Sequence, residues 1–153
     1  MNRKLLLYLF DKLLIIIALV ILFDFLVPGK TYHEEIVGIS QQKQQYYNAA
    51  RNSHNTYKVS TENRNFHVSK QFALKAKKSD QIIYKTSKLF NEVNNYKLTE
   101  LNYKETYSLR FLTGLIIPII SLIALYFFKD RNHTVKYICQ LFLIADFIFL
   151  VFI

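Results

Sequence analysis

Five ionisable residues sit inside, or at the rim of, stretches otherwise suited to a lipid interior: Asp11, Lys12, Asp24, Arg110 and Asp146. An ionised group at the centre of a membrane helix costs about 2.5–3.5 kcal/mol even on a lenient scale, so each must find a partner, reach an interface or carry a function. Asp146 lies ten residues past Lys136, ~15 Å along a helix. Lys12 enters the first apolar run from the same side on a long stem. Depth therefore pairs Lys12 with Asp146. Adjacent helical residues differ by about 100°, which leaves Asp11 to the interface beside Tyr8. Asp24, one turn before Pro28, pairs with Arg110 at the head of the second run. The chemistry open to both pairs is helix-to-helix fastening, a proton or ion path, or contact with another membrane subunit.

The remaining candidates are weaker. His33, Glu34, Glu35, His54 and His67 lack the i, i+4 or Cys/His spacing of a metal site, and neighbours on a strand point to opposite faces. Three glycines, at 29, 38 and 114, form no phosphate loop or nucleophile elbow, and the single cysteine, Cys139, falls in an apolar run. The reading is therefore no catalytic residue, no cofactor, no metal and no identified small-molecule substrate. Eight tyrosines among the many lysines of residues 30–110 raise the nucleic-acid question. A membrane tether argues against it, and the lysines read as a solvated face that meets anionic headgroups, each worth ~1 kcal/mol there.

Stepping out to the elements that would hold these residues, Leu5–Val27, Phe111–Phe128 and Tyr137–Ile153 are apolar runs of 23, 18 and 17 residues, against the ~20 that cross a ~30 Å hydrocarbon core. The first is too long for a secretory signal, carries Asp11 and Lys12, and ends in Pro28-Gly29; it reads as an uncleaved anchor. Pro118 predicts a kink in the second. Three parts follow: an anchor over residues 1–29, an extramembrane β module over 30–109, and a membrane hairpin over 110–153 joined by the basic turn Lys129–Lys136. Residues 30–110 hold 14 basic and seven acidic side chains, so +7 of the net +9 belongs to them. The flanking charge counts tie, but basic residues crowd the short N-terminus and the turn, and long segments translocate largely regardless of charge. The module is therefore placed outside a bacterial cytoplasmic membrane.

Within the module, Thr31–Ile39 reads as a strand with a bulge at Gly38, Ser40–Gln45 as a turn, and Asn48–Asn55 as a loop between strands resuming at Tyr46-Tyr47 and Thr56. Thr56–Thr61 and Asn65–Ser69 form a hairpin; Ser69 caps about two helical turns; Ser79-Asp80 is a turn; Gln81–Thr86 and Leu89–Tyr96 are strands. Thr99–Leu109 has helix-compatible spacing and leads into the second span. The expected core is Ile36, Val37, Tyr57, Phe66, Val68, Phe72, Ile82, Tyr84 and Val93. The fold class is thus an α+β membrane protein, three transmembrane helices plus a small β-barrel-like module of the OB or SH3-like kind.

An anchor helix, a strand with Gly38, the Tyr46-Tyr47 pair, Phe66-x-Val68-Ser69-x-x-Phe72 and Lys77-Lys78-Ser79-Asp80-Gln81-Ile82-Ile83-Tyr84 together resemble bacterial membrane proteins of the DUF3592-like group. Such modules carry a lysine-glycine-aspartate turn before the late strand, and here Ser79 stands in the glycine position. The resemblance implies an architecture, a small β module between transmembrane helices, and no active site. The function expected is non-enzymatic: display of a basic β module to membrane lipid and an envelope protein. The alternative is an accessory subunit of a transporter or membrane enzyme.

Overall fold

A computed structural model describes residues 3–45, 53–100, 103–127 and 133–152. Tyr46-Tyr47, Asn48–Asn52, Leu101 and the turn residues Lys129–Asn132 lie outside the described residues. The chain divides into two units, one of Met1–Lys30, Thr86–Asn94 and Ser108–Ile153, the other of Thr31–Lys85 and Asn95–Tyr107.

The first unit is helical. It contains α1 (Arg3–Leu26), α3 (Ser108–Phe111), a π-helical turn (Leu112–Ile116), α4 (Ile117–Phe127) and α5 (His133–Phe152). Leu5–Leu26, Ser108–Phe127 and Thr134–Phe152, of 22, 20 and 19 residues, are long and apolar enough to cross a membrane. Leu14, Ala18 and Ile21, spaced four and three apart along one face of α1, bury against Leu125, Leu143 and Leu150. Leu13, Ile16, Leu19, Leu141 and Phe142 are exposed, so the outer surface of these helices is apolar.

The second apolar helix carries its π-helical turn just before Pro118. Proline has no N–H to give the carbonyl of Gly114 and its ring crowds that turn; the helix widens instead, and the Ile117 N–H reaches back to the Leu112 carbonyl. Gly114 is needed there because a Cβ would stand 2.6 Å from the Phe25 ring. Gly29 meets a harder constraint, since its Cβ would lie 2.6–2.7 Å from the backbone of Thr86 and Ser87.

The strands form two antiparallel-paired sheets and not a closed barrel. One has the order β1 (Pro28–Glu35), β5 (Gln81–Ser87), β6 (Val93–Leu98), β7 (Tyr103–Thr106); the other is β2 (Gly38–Gln45), β3 (Ser53–Ser60), β4 (Asn65–Val68). The stretch expected as one bulged strand, Thr31–Ile39, is thus two. The chain leaves the first sheet at Ile36-Val37 and enters the second at Gly38, which pairs regularly with Ser60. Ser40–Gln45 is not a turn but the body of β2, and Ser53–Asn55 belongs to β3. The expected strand Leu89–Tyr96 begins only at Val93, and Thr99–Leu109 contains β7 where helix was expected.

The hairpin of β3 and β4 has the expected place, with Ser60 opposite Asn65. Ser69 caps α2 (Lys70–Lys75) by accepting from the Phe72 N–H at 3.0 Å. Phe66, Phe72, Tyr84 and Tyr96 make an aromatic core, with ring centroids 4.7–5.7 Å apart. Val59, Tyr96 and Leu98 are buried beyond the expected set, while Val37 is 55% exposed. It sits in the break between sheets, where the backbone N–H of Val37 goes to Ser60 and the side chain has no face to join.

Ser79 has φ of +72°, a left-handed conformation that costs an L-residue about 1–2 kcal/mol. The turn is held nonetheless, with the Lys77 N–H donating to Asp80 Oδ2 at 2.7 Å and Ser79 N–H to the Ile36 carbonyl. Glycine removes the strain and returns part of the gain as unfolded-chain entropy. Ser79→Gly is therefore expected to stabilise this unit by about 0.5–1 kcal/mol, read as a higher urea midpoint at unchanged slope.

Candidate functional site

The polar residues of the helical unit fall into two clusters. In the first, Arg110 is 1% exposed and Asp24 fully buried. The Arg110 Nη2 donates to Asp24 Oδ2 at 2.7 Å and Nε donates to Asn94 Oδ1 at 3.0 Å. The other Asp24 oxygen accepts the backbone N–H of Leu89, and Asn94 Nδ2 donates to the Phe25 carbonyl. Phe25 and Phe90 flank the guanidinium at 5.8 and 5.9 Å. Burial of this kind is tolerated only because the pair is close and further hydrogen-bonded. Phe90 also packs edge-on against Phe147 at 6.3 Å, so the loop between β5 and β6 is part of the helical unit. Asn94, Leu89 and Phe90 were missed from sequence; the apolar pair Leu89-Phe90 in an otherwise polar loop was the available signal.

The second cluster joins α1 to α5. Asp11 accepts from Lys136 Nζ at 2.6 Å and from Gln140 Nε2 at 2.7 Å. Lys12 is exposed, with its ammonium 5.4 Å from the centre of the Tyr8 ring. The structure does not bring Lys12 and Asp146 together. Since Asp11 is level with Lys136 and Gln140, Lys12 lies about two turns short of Asp146, ~10 Å by helical rise. Asp11 shares its face of the helix with Leu14, Ala18 and Ile21, and that face packs. The Tyr8 ring lies beneath the Lys12 ammonium.

Asp146 is 5% exposed and neither of its oxygens has a hydrogen-bond partner. The charged side chain that acts on it is Arg110. His33 and His67 are exposed strand residues, the His54 side chain lies outside the described set, and no group of three His, Cys, Asp or Glu able to hold a metal occurs among the described residues.

No family model, curated protein or solved structure matches the chain.

In the sheet unit, Glu34 Oε1 accepts from Tyr84 Oη at 2.8 Å and from Asn63 Nδ2 at 2.9 Å. Burial, and then this bond to a carboxylate, push the Tyr84 phenol up to about 12. Burial acts on Glu34 in the raising direction, but hydrogen bonds from Thr61, Asn63 and Tyr84 outweigh it and hold the carboxyl below its ordinary value. Tyr96, buried and donating to Glu105 Oε2 at 2.7 Å, is raised as well. A folded phenol that keeps its proton to about 12, beside an unfolded one that loses it near ~10, leaves the unfolded state with fewer protons in between. Stability is thus full below ~10 and falls as pH rises through the folded value. Urea unfolding followed from pH 8 to 12 is expected to show this loss, and Tyr84→Phe to flatten it.

Proposed function

We propose that the protein is a non-enzymatic integral membrane protein of a bacterial cytoplasmic membrane that presents its sheet unit outside, for interaction with an envelope protein. The observation that carries this reading is the free edge of β2. That strand ends its sheet, runs eight residues, and is paired on one side only among the described residues. Beyond the part of β3 that β4 covers, β2 and β3 continue as a two-stranded ribbon from Gln42 with Thr56 to Gln45 with Ser53. Such ribbons are marginal alone, and an open edge is the surface to which a partner strand adds through main-chain hydrogen bonds. Ser40, Gln41, Gln42 and Lys43 are exposed and polar, which keeps that edge soluble until it is met.

Two experiments test the reading. In a Cys139→Ala background, cysteine at Glu62 should label from outside the intact cell and cysteine at Asn132 should not; the reverse pattern removes the outside placement. A photo-crosslinking residue at Gln42 should capture an envelope component that the same probe at Lys70, on α2, does not. Capture of a transporter subunit, stoichiometric with the chain and reached from Leu141 on α5, would instead support the accessory-subunit reading. Equal yields of adduct from Gln42 and Lys70 would sink the β2 edge as the contact.

A further inference from the structure

Four buried side-chain atoms of the helical unit have no hydrogen-bond partner: Arg110 Nη1, Thr113 Oγ1 and both carboxylate oxygens of Asp146. Register brings Thr113 and Asp146 to about one level. The level follows from contacts. Ser121 Oγ donates to the Cys139 carbonyl at 3.3 Å, which sets the register of antiparallel α4 and α5. Carried seven residues along each helix, that register places Asp146 beside Gly114, the centre of the π-helical turn. Seven residues are two turns, so Asp146 also shares the face of α5 that carries Cys139 toward α4. At this same level Pro118 has no N–H for the Gly114 carbonyl, and the Ile117 N–H has moved from Thr113 to Leu112. The Gly114 carbonyl thus lacks its α-helical donor at the level of Asp146.

Charge adds a second, separate argument. The acids that act on Arg110 are Asp24, Glu92 and Asp146. Asp24 already holds the guanidinium at 2.7 Å, and the lysines of adjoining segments, Lys30 and Lys88, are exposed. Asp146 is left buried with no hydrogen-bond partner for either oxygen, in a setting where an uncompensated charge is expensive. Non-helical backbone at membrane depth is tolerated where it is satisfied by a guest or a cavity, and wide or broken turns recur where carbonyls meet a monovalent ion.

We propose that the Asp146 carboxylate, the Thr113 hydroxyl and the carbonyl freed at Gly114 by Pro118 form a binding site for one alkali-metal cation within the helical unit. The donor set is all oxygen with a single net negative charge, which suits a hard monovalent ion and gives nothing to a soft metal. Arg110 is held by Asp24 through Nη2 at 2.7 Å and is not part of the site. The π-helical turn is then the feature that opens the wall, and Gly114 keeps that turn against Phe25.

The test uses the full chain purified in detergent at fixed pH and ionic strength. Its thermal midpoint is measured while sodium or potassium chloride replaces choline chloride. A saturable rise with one or both ions is expected in the wild type and in the Asp11→Asn control, and none in Asp146→Asn. Thr113→Val should shift the half-saturating concentration upward roughly tenfold or more. Equilibrium dialysis of wild-type protein with radioactive sodium and potassium gives a readout independent of folding, with one ion per chain expected. No cation dependence and no bound ion would overturn the proposal, as would an unaltered response in Asp146→Asn. A midpoint that follows pH but neither cation would assign the missing charge to a proton and overturn it equally.

Discussion

Arg110→Met should cost the helical unit about 3–5 kcal/mol, the range for breaking a buried ion pair from one side. The guanidinium is the only cation at the Asp24 carboxylate among the described contacts, and its loss strands Asp24 at zero exposure, leaves Asn94 Oδ1 without its donor and removes the charge nearest Asp146. Asp24→Asn should cost less. An amide oxygen still accepts the Leu89 N–H, and Arg110 keeps Asn94 together with the charges of Glu92 and Asp146. The double variant Asp24→Leu with Arg110→Met should recover much of the single loss, because two apolar groups need no partner. The measurement is unfolding of the detergent-solubilised chain, heated or titrated with a denaturing detergent. A smaller loss for Arg110→Met than for Asp24→Asn would mean that water reaches the pair and the burial is not as described.

That pair was legible because both members flank the end of an apolar run, where chain breaks fix the depth. The other pair was not. Counting from the loops set Lys12 against Asp146, but the choice between Asp11 and Lys12 depends on which face of α1 packs. A helix apolar all round carries no polar face to mark it. The decisive residues were Leu14, Ala18 and Ile21, whose stripe runs back to Asp11. Lys136 and Gln140, one turn apart at the start of α5, then take the acid. Lys12→Met should accordingly change stability by less than about 0.5 kcal/mol.

In the sheet unit, strands with alternating burial were readable and the others were not. Residues 81–86 alternate exposed and buried up to Thr86, and Asn65–Val68 does the same. The stretch Gly38–Gln45 has one apolar side chain in eight, Ile39, so hydrophobic period had nothing to report, and its strand is held by backbone pairing with β3. β7 is four residues long and follows a segment with helical spacing. The barrel expectation failed for a related reason: with β2 and β7 unseen, five strands seemed to need closure, whereas seven divide into two sheets.

Phe66→Ala tests where those two sheets meet. Phe66 is on β4 of the three-stranded sheet, opposite Val59 on β3, and its ring reaches Tyr84 and Tyr96 of the four-stranded sheet at 5.3 and 5.7 Å. Truncation removes a whole ring from a site 6% exposed, at a typical cost of about 3–5 kcal/mol. Small domains possess only about 5–15 kcal/mol in total, so limited proteolysis of the full chain should cut the sheet unit of the variant at protease levels the wild type resists. Two controls separate this from loss of apolar area in general. Val37→Ala and Leu74→Ala remove comparable chemistry from side chains 55% and 72% exposed, and each should stay within about 0.5 kcal/mol of wild type. Proteolysis of Val37→Ala as rapid as that of Phe66→Ala would move the core to the Ile36-Val37 break between the sheets, away from the aromatic cluster around Tyr84.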